Sequence, residues 1–417
     1  MKQIAILILL SVVALSGCGI SPLRITSATG EAPTPVEAVS TSVPVATVAP
    51  TDLPAPTNAP KDVPAPIATV GPEYRILAYV ARDGNIHLKD LLTGKEQALT
   101  EDATLGLSDP EEIVEYHDLA WSSDGLLLAF QRLTAAIIDS GRLYHFNLWV
   151  FDVQTGAISE VLADVQTAGF AWRPGTHQLT YALTVQEGYF TTRAEVNSAS
   201  ATGIFSIDVD AGSDPVEIVP PSGGFSLVSP QWSADGRIVA FSEIFGMEGT
   251  GNFAYADMDT GEYVRREQQV GNYDLMPDGS RLVFDTLTYM PSGMERIWVV
   301  NLDWTGAQRI SPHYGEGYAF GPKLSPDGQQ VAYWKGIGLP GEPSPDQNEL
   351  FVQPVVETND PKSYGVIDSP YSLDWMADGK SLILNVGDPE KREIVTISLE
   401  DASTDKLADG TYPAMRP

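Results

Sequence analysis

The chain has 417 residues with 55 acidic against 25 basic side chains, a formal charge of −30. So acidic a surface repels nucleic acid and the anionic face of a bilayer, which excludes phosphate-backbone recognition as the main activity. With 37 Gly and 31 Pro the chain is rich in turns, its 43% hydrophobic residues suffice for a large core, and its single Cys excludes any intramolecular disulfide.

The first 18 residues read as a secretory signal. Lys2 is a short positive region, Ile4 to Ala14 is an apolar run of 11 residues, and Leu15-Ser16-Gly17-Cys18 follows. That run covers about half of the ~20 residues a membrane-spanning helix needs. The last four residues resemble the bacterial lipobox. The resemblance implies cleavage before Cys18, a diacylglycerol on its thiol, and a folded part held outside the cytoplasm. Gly19 is not the aspartate that the family associates with inner-membrane retention. Residues 19–72 carry 11 prolines in 54 positions in a Pro/Ala/Thr/Val texture. Proline removes backbone donors and fixes φ, so no core is expected there. At about 3.1 Å per residue such a tether reaches ~170 Å.

From residue 73 to 417 the chain repeats itself. WSSDGLLLAF at 121–130, WRPGTHQLTY at 172–181 and WSADGRIVAF at 232–241 are followed by LMPDGSRLVF at 275–284, LSPDGQQVAY at 324–333 and WMADGKSLIL at 375–384. The starts lie 51, 60, 43, 49 and 51 residues apart. Asp-Gly suits a tight hairpin because glycine adopts positive φ freely. The strand after it, as in Leu126 to Phe130, is apolar on both faces and must be covered on both. A third strand follows, as in Leu148 to Asp152 before Thr155-Gly156 and Ile297 to Asn301 before Thr305-Gly306, then a fourth. Four antiparallel strands every 40 to 60 residues describe the blade of a β-propeller.

The two chain ends set the expected count. Ile76-Leu77-Ala78-Tyr79 matches a second strand, yet its missing first strand would fall at Val70, inside the tether. Thr411 to Pro417, with Met415 at the tryptophan position, supplies a strand at the other end. The expectation is therefore an all-β, seven-bladed propeller of four-stranded antiparallel blades, closed by the C-terminal strand joining the first blade.

These repeats resemble the TolB-type Asp-Gly propeller family, a WD-repeat-like group also found in front of prolyl-oligopeptidase-type hydrolases. The resemblance covers about 74 to 417 and rests on turn and core positions, so it bears on fold. Two features depart from it. TolB carries a small α/β domain before its ring and the peptidases a hydrolase domain after theirs, whereas the signal-like and proline-rich residues 1–72 and the repeats to 417 resemble neither.

Motif searches for chemistry return little. There is no Gly-x-Ser-x-Gly elbow, no His-Glu-x-x-His and no cysteine pair. Gly379-Lys380-Ser381 lacks the first glycine of a phosphate loop, with Asp at 374. Asp208, Asp210 and Asp214 around Gly212 lack the later glutamate of an EF-hand and read as solvated surface, so neither metal nor cofactor is expected. Two groups of residues are the candidate sites. The first lies on the loops joining second to third strands (134–143, 184–203, 244–252, 287–295 and 336–349), which share one face and carry Tyr189, Phe190, Phe245, Met247, Tyr289 and Met290. The second lies just before the repeat aromatic, at the expected channel mouth: Tyr116, Phe170, Tyr273, Phe320, Tyr371 and Tyr412, with His117, Asp118 and Asp274 as the only charged candidates for chemistry.

The expected function is a monomeric, lipid-anchored binding or scaffold module of the cell envelope, facing the periplasm or the cell surface. Its partner would be a protein, peptide or glycan. The competing expectation is a propeller enzyme acting on polysaccharide or peptide, because some seven-bladed relatives of this repeat family are lyases.

Overall fold

The computed structural model describes residues 75–105, 112–138, 141–163, 165–185, 203–220, 226–244, 251–286, 296–311, 318–336, 347–356, 360–388 and 391–417. These residues form 27 β-strands and no helix. Five sheets have four antiparallel strands each, taken in chain order, and start at Glu112, Gln166, Ser226, Tyr273 and Tyr318. A sixth sheet has seven strands.

Three of the Asp-Gly turns, at Ser122, Ser233 and Ser325, form for the same local reason, and those at Met276 and Met376 share the backbone bonds alone. Gly125 donates its N–H to Ser122 O (2.8 Å) with φ at 68°, and Ser122 N–H reaches across to Leu127 O (2.8 Å). The Ser122 hydroxyl donates to Asp124 (2.6 Å) while accepting the Leu127 N–H (2.9 Å). This is a type I turn closed by a glycine bulge, with Ser and Asp satisfying the backbone groups that the turn leaves free. Ser233/Asp235 and Ser325/Asp327 repeat it. The strand that leaves the turn, Leu127 to Phe130, is buried throughout, as its unbroken apolar pattern requires.

The core lies between sheets rather than within one. Leu127, Ala129 and Leu148 of one sheet pack with Trp172, Leu179 and Ile207 of the next. Six more clusters each combine residues of two neighbouring sheets or of the two ends of the seven-stranded one. The repeat tryptophans also reach across. Trp172 Nε1 donates to Ala120 O (2.9 Å), Trp375 Nε1 to Lys323 O (2.9 Å) and Trp121 Nε1 to Ala414 O (3.2 Å). In each case the acceptor is the residue just before the aromatic position of the preceding repeat. The tryptophan position is thus a clamp between sheets as well as a hydrophobic anchor.

The strand Thr404–Met415 serves two neighbours. Thr404, Asp405, Lys406, Ala408 and Asp409 pair with Glu393–Ser398, and Gly410, Thr411, Ala414 and Met415 pair with Ile76–Ala81, Met415 lying opposite Leu77. Arg416 then donates Nε to Gly125 O (2.7 Å). One expectation is corrected. The span 134–143 reads from sequence as a loop, but its described residues 134–138 and 141–143 are paired strand, with Thr134 opposite His145 and Ile138 opposite Gly141. Leu133, Ala135, Tyr144 and Phe146 form a small core of their own along it.

Candidate functional site

The first strands of successive sheets stand side by side, from Thr404–Met415 to Glu112–Trp121, Gln166–Trp172, Ser226–Trp232, Tyr273–Leu275, Tyr318–Leu324 and Pro370–Trp375. Five of the seven share a local irregularity. Three positions before the repeat aromatic the backbone takes positive φ at Asp118 (53°), Gly169 (103°), Ser229 (55°), Gly321 (62°) and Tyr412 (53°). The pairing register shifts there, between His117 and Ala120 and between Phe320 and Lys323, for example. Such a bulge bends the strand and swaps the face on which the preceding side chains emerge.

Where it occurs, the bulge decides where the expected mouth residue goes. Tyr116 does not reach the mouth. It is 4% exposed, lies edge-on to Phe130, and donates its hydroxyl to Asp102, which also holds Arg132 (2.8 Å). Burial and then Asp102 push its pKa up to about 12. Tyr273 is buried too, donating to Ser229 O (2.8 Å) and meeting Phe253 edge to face, and burial pushes its hydroxyl pKa up. Phe170 is half-buried against the core around Trp172. Phe320, half-buried, packs against the core around Trp334 and Trp375 and also lines a cavity, and Tyr371 is 44% exposed. The guanidinium of Arg392 sits 3.5 Å from the Tyr371 ring centre. Tyr412 stands edge-on between His117 and Tyr371, its hydroxyl pKa raised by burial and then by Tyr371.

The charged candidates are held apart. His117 faces Glu115 (Nε2 to Oε2, 3.3 Å) and the Tyr412 hydroxyl (3.4 Å). Asp118 meets solvent, yet the surrounding wall strips enough water to raise its pKa, against the pull of His117. Asp274 lies in another sheet, accepts the Leu324 N–H (2.8 Å), and has its pKa raised by desolvation. Among the described residues no bond joins Asp274 to the His117/Asp118 pair. No group of three or more His, Cys, Asp or Glu among the described residues could hold a metal, and no helix among them is long and apolar enough to cross a membrane. Cys18 and the loop residues Tyr189, Phe190, Phe245, Met247, Tyr289 and Met290 lie outside the described residues.

A cavity of about 560 Å³ opens at this end of the wall, lined among others by Gln231, Tyr273, Phe320, Lys323, Trp334 and Tyr371. Gln231 and Lys323 are site residues that motif searching missed. Lys323 lies between Asp274 and Asp374, and their charges, Asp274 first, raise its pKa against the effect of burial. The signal was present in the repeat itself, as the residue immediately before the aromatic: Ala120, Ala171, Gln231, Asp274, Lys323, Asp374 and Ala414.

Comparison with solved structures identifies the architecture. The fold is a β-propeller. An oligogalacturonate lyase in complex with manganese aligns over 80% of this chain and 84% of its own, at 15% identity and a TM-score of 0.56. A prolyl endopeptidase aligns over 81% of this chain and only 50% of its own, at 15% identity and a TM-score of 0.57. TolB from Acinetobacter baumannii aligns over 82% of this chain and 67% of its own, at 13% identity, but its TM-score of 0.45 carries no weight. Identities this low speak to fold alone. No protein-family model and no curated relative matches the sequence.

Proposed function

We propose that this chain is a lipid-anchored, extracytoplasmic binding module, built as a seven-bladed ring that closes through its C-terminal strand. The ring count is supported by seven core clusters, each joining neighbouring sheets or the two ends of the long sheet, and by the double pairing of Thr404–Met415. The anchor is supported by the lipobox at Leu15 to Cys18, and the reach by the proline-rich residues 19–72. In this reading the module is a monomer of the cell envelope, and it takes its partner at the channel mouth.

The observation that carries the binding reading is the cavity of about 560 Å³, with the Tyr371 ring open beside it. The prior engagement of His117 with Glu115 and Tyr412, and of Asp274 with a backbone N–H, favours a holding role over a catalytic one. Two experiments test the reading. Cys18→Ser should move the protein from the membrane to the soluble fraction, and continued membrane residence with lipid labelling would overturn the anchor. A photocrosslinking residue at Tyr371, in native membranes, should capture a discrete adduct that the same residue at exposed Leu92 does not. Equal or absent adducts would overturn the mouth as the binding site, and turnover of uronate polymers or peptides by the pure protein would overturn its non-catalytic character.

A further inference from the structure

The repeats supply an internal control for the channel wall. The position just before the repeat aromatic is occupied on seven first strands, and three of them (Ala120, Ala171 and Ala414) carry alanine. The fold therefore does not require a polar side chain at this position. The other four (Gln231, Asp274, Lys323 and Asp374) lie on consecutive sheets and are all polar. Gln231 and Lys323 line the cavity themselves, and on the other two sheets its wall is formed by Tyr273 and Leu373, the residues immediately before Asp274 and Asp374.

The arc holds unspent hydrogen-bonding capacity. Lys323 Nζ has no hydrogen bond or ion pair among the described residues. Gln231 Oε1 is buried without a partner, while its amide nitrogen makes a 3.3 Å contact to Tyr273 O. Asp374 is exposed and accepts one bond, from the Trp375 N–H (2.8 Å). A bound molecule must therefore both donate and accept. It must also offer an apolar face to Phe320 and to the side of the Tyr371 ring that Arg392 does not cover. Net charge is unwelcome in either sign, since Lys323 and the Arg392 guanidinium on Tyr371 oppose a cation, and Asp274, Asp374 and the overall charge of −30 oppose an anion.

We infer that the polar arc Gln231–Asp274–Lys323–Asp374, with Phe320 and Tyr371, is a subsite for a neutral, hydroxyl-rich ligand, namely the end of a neutral oligosaccharide. Sugar hydroxyls donate to Asp374 and Gln231 and accept from Lys323, and the C–H face of a ring lies on an aromatic face. A cavity of about 560 Å³ falls in the ~300–1,000 Å³ range of small-ligand sites. The inference rests on the reading of the channel mouth as the binding site.

The test is calorimetric titration of the purified full-length chain with maltotriose, cellotriose, chitotriose, trigalacturonate and trialanine. At least one neutral trisaccharide should bind, with trigalacturonate and trialanine much weaker. Lys323→Ala and Asp374→Ala, which copy the alanine of the other repeats, should each weaken it about tenfold or more, with the thermal midpoint unchanged for Asp374→Ala and a cooperative transition retained for Lys323→Ala, which takes a cation from beside Asp274. Tyr371→Ala should weaken it as well. Binding that prefers trigalacturonate or trialanine, is lost on Tyr371→Ala and is indifferent to Lys323→Ala would overturn the ligand class and leave the mouth as a binding site. Saccharide binding unaffected by all three substitutions would overturn the mouth itself. No binding of any neutral trisaccharide by the folded protein would overturn the inference.

Discussion

The tryptophan clamps make a prediction that the molecule can control internally. Trp172 is 7% exposed and donates to Ala120 O at 2.9 Å, whereas the indole nitrogen of Trp232 is buried with no partner among the described residues. Replacing either with phenylalanine removes similar packing, a cost of about 1–2 kcal/mol. Trp172→Phe also deletes a cross-sheet hydrogen bond and orphans a carbonyl, about 1 kcal/mol more. Trp232→Phe has no such bond to lose, though the Arg173 guanidinium, 5.2 Å from its ring centre, forfeits a few tenths of a kcal/mol of cation–π attraction. Urea unfolding followed by far-UV circular dichroism should therefore rank Trp172→Phe as the costlier by roughly 1 kcal/mol. Equal costs, or a larger one for Trp232→Phe, would refute the idea that the indole N–H ties the sheets together.

Two further outcomes follow from junctions between sheets. His177 bridges Asp124 (2.9 Å) and Asp210 (2.7 Å); burial alone would lower its pKa, but the two carboxylates outweigh that and raise it. Its stabilisation is therefore complete below the unfolded value near ~6.5 and fades as pH rises through the folded one. His177→Gln should cost about 0.5–1 kcal/mol at pH 5.5 and less at pH 8.5, since both aspartates are largely solvent-screened; a pH-independent cost would contradict this. Deleting residues 410–417 leaves Ile76–Ala81 paired only with Ile86–Asp90, its other edge open, and removes the acceptor of Trp121 Nε1. The truncated protein should aggregate or become protease-sensitive near residue 76, and a soluble, protease-resistant monomer would argue against ring closure.

The strands, the turns and the partner of the last strand were legible because each is written locally. Asp-Gly after Ser or Pro defines a hairpin, unbroken apolar runs define covered strands, and Met415 stands where tryptophan stands elsewhere. The side-chain directions near the mouth were not legible. An alternating strand would send Tyr116, five positions before its tryptophan, to the same side as Ala120. The bulge at Asp118 reverses this and buries it, and the bulge at Gly321 likewise shifts Phe320, which is left half-buried at the cavity wall. At Tyr273 no register shift intervenes, so a residue two positions before Leu275 stays on the buried side with it. Glycine marks the bulge at 169 and 321, but Asp118, Ser229 and Tyr412 adopt the same conformation with nothing in their identity to announce it.

The polar arc contains two aspartates in one register position with different duties, and the sheet junctions explain why. Leu275 and Leu324 stand where other repeats place tryptophan, so neither has an indole N–H to lend the preceding sheet. Between the sheets starting at Tyr273 and Tyr318 the tie runs instead from the Leu324 backbone N–H to Asp274 Oδ2, at 2.8 Å. Asp374 has no such task, because Trp375 supplies its own clamp to Lys323 O. Asp274→Ala should therefore cost about 1–3 kcal/mol, by leaving that N–H without an acceptor beside the 8%-exposed Leu324. Asp274→Asn, which keeps an acceptor oxygen, should recover most of it. Asp374→Ala should stay within about 0.5 kcal/mol of the parent. Urea midpoints at pH 7 for the three variants decide the matter. If Asp374→Ala destabilises as much as Asp274→Ala, the arc is a structural ion cluster and its polar residues need no ligand to explain them.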